Sequence, residues 1–202
     1  MGVRRLHGTE YMIPADRIVA GTYLFACLGT GGRVLLEEAP VEQLGAVIDF
    51  AEQLGAECEN TPDGLYVQAP AVLKSPERLI TMPYPGFPTD LQSAALALLT
   101  VSEGTCIIEE TVFENRFRIA EPLAQMGACL EQVSAGAMRV HGPCCMKGRV
   151  VTAEELRGGA ALVTAGLVAR GETVIRNCHY IDRGYENICR DFKELGARIY
   201  CE

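Results

Sequence analysis

Apolar residues recur at helical spacing from Val41 to Leu54, where Leu44, Val47, Ile48, Ala51 and Leu54 fall on one face, the signature of an amphipathic helix. Ala94 to Val101 and Ala160 to Ala169 are apolar almost throughout and read as core helices. A further helix starts at Asp16, with Ile18, Val19, Tyr23, Leu24 and Cys27 as its apolar positions, and stops at the glycines from Gly29 to Gly32, because glycine ends helices at little cost. Short runs at Arg33–Leu36, Thr105–Glu109 and Thr173–Arg176 read as buried strands. Paired runs around Thr61-Pro62-Asp63-Gly64 and Ser134-Ala135-Gly136 read as hairpins, since those turn residues bend a chain sharply. Further strands are expected near Tyr11, near Leu79–Met82, at Arg149–Thr152 and at Arg198–Tyr200. Further helices are expected from Asp90, over about Arg118–Met126, over Glu155–Ala169 and over Tyr185–Leu195.

These elements repeat. Three copies of the second helix end on one phrase, Gln53-Leu54-Gly55-Ala56, Gln125-Met126-Gly127-Ala128 and Glu194-Leu195-Gly196-Ala197. Three copies of the first helix open on an acid, Asp16, Asp90 and Glu155. From acid to glycine the three copies measure 39, 37 and 41 residues. A period of this kind marks one supersecondary unit used several times. The units run over about residues 6–70, 78–143 and 147–202, with a proline-rich connector at 71–86. Each has the order βαβαββ, except that the third stops before its last strand. The expected fold is α/β: one domain over 1–202, three units around a pseudo-threefold axis, helices inside and sheets outside. The absent strand leaves an open sheet edge, which points to a truncated chain or to a strand supplied from elsewhere in a longer protein.

Composition narrows the function. With 202 residues and 49% hydrophobic content the chain builds a sizeable core. A net charge of −8 disfavours a phosphate backbone as partner, and the absence of Trp with only 6% aromatics disfavours base stacking. No apolar run reaches the roughly 18 residues that span a bilayer, and the first residues lack the apolar stretch of a signal peptide. Nine cysteines, an odd number with no CxxC, and three histidines without ligand spacing argue against a zinc site. They read as free thiols in a reducing cytosol. No cofactor or metal is expected.

The three acids are first of all helix caps, since a carboxylate accepts the unpaired amides of a helix start. Threefold repetition adds that they converge at one end of the domain. The middle acid is set apart by Pro83-Tyr84-Pro85-Gly86-Phe87-Pro88-Thr89-Asp90, a stiff approach that suits a fixed general base. Arg116 and Arg183 occupy matching places after the second strand of their units, and Arg157 follows Glu155 by two residues. All three are candidate hooks for a phosphate or carboxylate.

In that order, Phe87-Pro88-Thr89-Asp90-Leu91-Gln92, Glu109-Glu110-Thr111-Val112-Phe113-Glu114-Asn115-Arg116-Phe117 and His179-Tyr180-Ile181-Asp182-Arg183-Gly184-Tyr185-Glu186 resemble the UDP-N-acetylglucosamine enolpyruvyltransferases. The resemblance runs from Leu6 to Tyr200. It implies an inside-out α/β barrel of three βαβαββ units, one of two such domains. It implies transfer of the enolpyruvyl group of phosphoenolpyruvate to the 3-hydroxyl of UDP-N-acetylglucosamine, the entry to peptidoglycan synthesis, in the cytoplasm. Asp90 then matches the base that contacts the sugar hydroxyl. Val112 matches a backbone contact to the nucleotide sugar, and Arg183 a ligand of phosphoenolpyruvate. Arg157 lines the cleft, with Arg116 and Glu155 completing the substrate-binding set. Glu155-Leu156-Arg157 stands where the family has Asp-Leu-Arg, and Tyr180 stands where it has a histidine. The family's cysteine loop, lysine–asparagine pair and other phosphate-binding arginine belong to the other, N-terminal domain and have no counterpart here. The resemblance therefore implies half an enzyme, inactive alone. The competing expectation is a non-catalytic nucleotide-sugar-binding or regulatory domain of the same fold.

Overall fold

Three helices pack against one another at the centre of the molecule: α1 (Arg17–Thr30), α3 (Gln92–Leu99) and α5 (Leu156–Val168). The computed structural model describes residues 2–201. All eight residues of α3 are buried. So is the run Gly158–Ala165 of α5. α3 carries three alanines and α5 three alanines and three glycines, and small side chains let helix backbones approach closely. A helix that is apolar all round belongs in a core rather than on a surface.

Around these helices lie three sheets, one per unit. In the first, β1 (Arg33–Glu37), β2 (Glu57–Thr61) and β3 (Gly64–Gln68) form an antiparallel sheet in the order β1-β3-β2. In the second, β4 (Arg78–Ile80) runs parallel to β5 (Gly104–Glu109). The hairpin β6 (Cys129–Ser134) and β7 (Ala137–Gly142) completes the order β4-β5-β7-β6. In the third, β8 (Val150–Thr152) and β9 (Val174–Arg176) pair in parallel. Each unit has a second helix: α2 (Gly45–Gln53), α4 (Ala120–Gln125) and α6 (Ile188–Glu194).

The thrice-repeated Gly-Ala phrase is the cap of these second helices. Gly55, Gly127 and Gly196 have φ of 97°, 104° and 96°, a region open to glycine. The alanine that follows reaches back five residues. Ala56 N donates to Ala51 O at 3.0 Å, Ala128 N to Leu123 O at 3.0 Å and Ala197 N to Phe192 O at 2.9 Å. This is the Schellman closure of a helix. The phrase recurs because each unit stops its second helix in the same way.

Four expectations need correction. The strand near Tyr11 does not form; Tyr11, Met12 and Ile13 are exposed and unpaired. Arg198–Tyr200 is not a strand either. In the second unit the equivalent strand β6 bonds only to β7, and no described residue supplies such a partner in the third. Residues 184–187 are not helical: α6 starts only at Ile188, where Asn187 Oδ1 accepts from Arg190 N at 2.8 Å. The cysteines are not all free thiols. The tail folds back on α6, and Cys189 and Cys201 form a disulfide, leaving the other seven free.

Candidate active site

The three acids occupy equivalent places and behave differently. Asp16 caps α1: its Oδ1 accepts from Ile18 N at 2.7 Å and from Val19 N at 3.4 Å. Glu155 caps α5, accepting from Arg157 N at 2.8 Å through one oxygen and from Gly158 N through the other. Asp90 caps nothing. A short 3-10 turn, Thr89–Leu91, precedes α3 and makes no side-chain cap. Each carboxylate oxygen of Asp90 instead accepts from a guanidinium, Oδ1 from Arg116 Nη2 at 2.6 Å and Oδ2 from Arg157 Nη2 at 3.0 Å. A carboxylate oxygen accepts about two hydrogen bonds, so both oxygens keep room for an incoming hydroxyl. Arg116 Nε and Arg157 Nη1 are buried and have no hydrogen-bond partner among the described residues. The pair thus holds unspent donors beside a partly exposed carboxylate.

Local sequence explains each position. Arg157 stands one residue inside α5, where the Glu155 cap fixes the first turn and hence the direction of its side chain. Arg116 opens the 3-10 turn Arg116–Ile119 after Asn115, whose φ of 54° turns the chain sharply. Its guanidinium carbon also lies over the Phe113 ring, 5.5 Å from the centroid. Ahead of Asp90, the proline-rich loop is held by more than its prolines. Phe87 is buried against Phe25 of α1 and Phe50 of α2, with ring centroids 6.3 and 5.3 Å away. Its carbonyl accepts from Met82 N at 2.9 Å.

Val112 sits on the neighbouring loop. Its amide is already committed, donating to Glu110 Oε1 at 2.8 Å. Its carbonyl is therefore the backbone group left to meet a ligand. Arg183 ends the 3-10 segment Cys178–Arg183, is exposed, and makes no ion pair with Asp90. The chain beside it packs on the start of α5. A Cβ at Gly184 would meet Leu156 Cδ2 at 2.9 Å, so the two segments lie close together. Asp90, Arg116 and Arg157 are thus in direct contact. Glu155 joins them by capping Arg157, and Val112 and Arg183 lie on adjoining segments.

Sequence reasoning missed two participants. Tyr185 is buried and shares a 2.7 Å hydrogen bond with Thr22 Oγ1 of α1. Burial pushes its phenol up, while the Thr22 hydroxyl and the Arg157 guanidinium pull the other way. It therefore stands between the Asp16 helix and the Arg157 helix. Glu110 is the other: a carboxylate only 8% exposed, bonded to Thr89, Val112 and Phe113. Its adjacency to Glu109 gave the single signal, two acids in a strand end of which one must point inward.

The chain is similar to known proteins along nearly its whole length. A family model described as EPSP synthase (3-phosphoshikimate 1-carboxyvinyltransferase) matches residues 1–192. UDP-N-acetylglucosamine 1-carboxyvinyltransferase 2 of Caldanaerobacter subterraneus subsp. tengcongensis is 42% identical over 198 residues, 98% of this chain and 47% of that protein. The UDP-N-acetylglucosamine 1-carboxyvinyltransferase of Methylacidiphilum infernorum is 43% identical over 198 residues, again 98% of this chain and 47% of the relative. Among solved structures, the enolpyruvyl transferase NikO from Streptomyces tendae superposes with a TM-score of 0.82 at 28% identity, over 93% of this chain and 44% of that one. EPSP synthase from Acinetobacter baumannii superposes with a TM-score of 0.76 at 18% identity, over 94% of this chain and 47% of that one, a likeness of fold alone. The chain spans about half the length of the relatives it matches.

Proposed function

This chain belongs to the EPSP synthase family of 1-carboxyvinyl (enolpyruvyl) transferases, and from that premise we propose that it is the base-bearing half of a UDP-N-acetylglucosamine enolpyruvyltransferase. The observation that carries the reading is the Arg116–Asp90–Arg157 contact. In the proposed reaction the 3-hydroxyl of the sugar adds to C2 of phosphoenolpyruvate as C3 takes a proton. Asp90 accepts the hydroxyl proton. The tetrahedral adduct then loses phosphate and a proton from C3, restoring the double bond on the sugar ether. Arg157 and Arg116 hold the carboxylate in line and offer their remaining donors to the anionic substrate. Arg183 supplies a further cation from the adjoining turn, and Val112 offers its carbonyl to the nucleotide sugar. Glu155 acts by aiming Arg157, since both its oxygens are spent on backbone amides. In this reading the three units form an inside-out barrel whose helix starts share one end. The cytoplasm, which supplies nucleotide sugars and phosphoenolpyruvate, is the proposed site of action.

Alone, the half-site does not turn over. Charge developing on the transferring group must be met from both walls of a closed cleft, and each lost donor costs about 3 kcal/mol in the transition state. Two substrates held from one side also lose the advantage of proximity. Calorimetric titration of the purified chain tests the substrate class. UDP-N-acetylglucosamine should bind with measurable heat and shikimate 3-phosphate should not. Binding of shikimate 3-phosphate alone would overturn the assignment.

A further inference from the structure

We infer that Glu110 is a positioning residue that clamps the loop bearing Val112 to the helix start bearing Asp90. The inference rests on the function proposed above for what the clamp achieves, but the clamp itself stands on contacts of this chain. Glu110 Oε1 accepts from Val112 N at 2.8 Å and from Phe113 N at 3.0 Å. Glu110 Oε2 accepts from Thr89 Oγ1 at 2.8 Å. The first two bonds close a local turn. The third crosses 21 residues of sequence to the residue next to Asp90.

Burial makes this arrangement informative. A carboxylate that is 8% exposed is costly to keep charged unless hydrogen bonds replace its water. Glu110 makes no ion pair among the described residues, so two amides and a hydroxyl hold its charge. A turn needing only closure is served by a neutral, exposed Asn or Ser at far lower cost. The buried acid adds rigid reach: one end fixed on the strand end, where Glu110 N donates to Gly136 O at 2.8 Å, and the other on Thr89.

A second pair of bonds keeps the loop seated. Thr111 N donates to Thr81 Oγ1 at 3.1 Å and Thr111 Oγ1 donates to Thr81 O at 2.6 Å. Thr81 lies at the far side of the proline-rich loop from Thr89. The loop before Asp90 is therefore tied to the Thr111–Phe113 loop at both of its ends. Within the proposed reaction, the distance between the proton acceptor and the sugar-binding carbonyl is set by this clamp. A shift of about 1 Å there is enough to cost about a hundredfold in rate.

The experiment has a ligand-free arm and a ligand arm. Amide hydrogen exchange is measured at Val112 and Phe113 in the wild-type chain, Glu110→Ala, Glu110→Gln and Thr89→Val. Glu110→Ala should speed exchange at both amides by about tenfold or more, the loss of a charge-assisted bond, while β5 amides stay protected. Thr89→Val touches neither amide, yet should speed both by about threefold, because the clamp loses one end. Glu110→Gln keeps an oxygen for the amides and an NH2 for Thr89 Oγ1, and should stay within about threefold of wild type. In the ligand arm, Glu110→Ala should weaken UDP-N-acetylglucosamine about tenfold. Unchanged exchange in Thr89→Val overturns the clamp whatever the ligand does. Unchanged affinity in Glu110→Ala, with wild type binding, overturns its role at the site. If wild type binds no nucleotide sugar, the proposed function fails, and accelerated exchange in Thr89→Val still upholds the clamp.

Discussion

Asp16, Asp90 and Glu155 share a place in their repeats and differ in what they touch. Two spend their oxygens on helix amides, and the middle one spends them on two guanidiniums. Substitutions should separate the roles. Asp16→Ala should lower stability by about 1 kcal/mol, the usual value of a lost N-cap, with nucleotide-sugar binding intact. Asp90→Ala should leave the melting temperature within a few degrees of wild type and abolish function in the reassembled enzyme. Denaturant melts alongside activity check both, and equal losses of activity in the two variants would contradict the distinction. The singularity of Asp90 was legible in the sequence, because only that acid follows a proline-rich approach. Its partners were legible as arginines but not as partners. Arg116 and Arg157 lie 26 and 67 residues away, the first in the same unit and the second in the next, and no local period encodes contacts over such separations. Glu110 and Tyr185 stand inside the motifs with no role legible there, since burial decides their chemistry and a single sequence does not display it.

Phe87 does for the proline-rich loop what prolines alone do not. Three prolines limit the loop's conformations, while the Phe25–Phe50–Phe87 cluster fixes where it sits. Phe87→Ala should cost about 3–5 kcal/mol, the range for truncating a buried aromatic, and should also loosen Asp90. Urea unfolding with a parallel binding titration measures both. A loss below about 1 kcal/mol would show that the prolines suffice. Most helices and strands of the three units were readable from apolar spacing and turn residues. The two strands that failed, near Tyr11 and at Arg198–Tyr200, have strand-like residues but lack a paired neighbour. Propensity describes the residue, whereas a strand exists only with a partner. α3 and α5 were readable as core because the runs Ala94–Val101 and Ala160–Ala169 are apolar almost throughout.

Several ionisable groups are buried in their neutral form, which gives the whole molecule a pH signature. Burial pushes the thiols of Cys27 and Cys58 up to about 11 and that of Cys106 up to about 12. Burial likewise raises the phenols of Tyr185 and Tyr23, the latter also by its bond to the Asp191 carboxylate. Raised values mean that the unfolded chain gives up these protons first. The stability they contribute is complete below the ordinary thiol value of 9.0 and is lost as pH climbs through about 11 to 12. Thermal melts should be flat from neutral pH to about 9 and then fall, less steeply in Cys106→Ala. A melting temperature constant to pH 11 would contradict this burial pattern. On the proposed function, this chain supplies the proton acceptor for enolpyruvyl transfer and needs the other half of the enzyme to use it. Phosphate release from phosphoenolpyruvate and UDP-N-acetylglucosamine, measured with the chain alone and mixed with a separately purified N-terminal domain of a relative, tests it most directly. No release is expected from the chain alone, release from the mixture, and none from the mixture carrying Asp90→Ala. Robust release by the isolated chain, or undiminished release with Asp90→Ala, would contradict it.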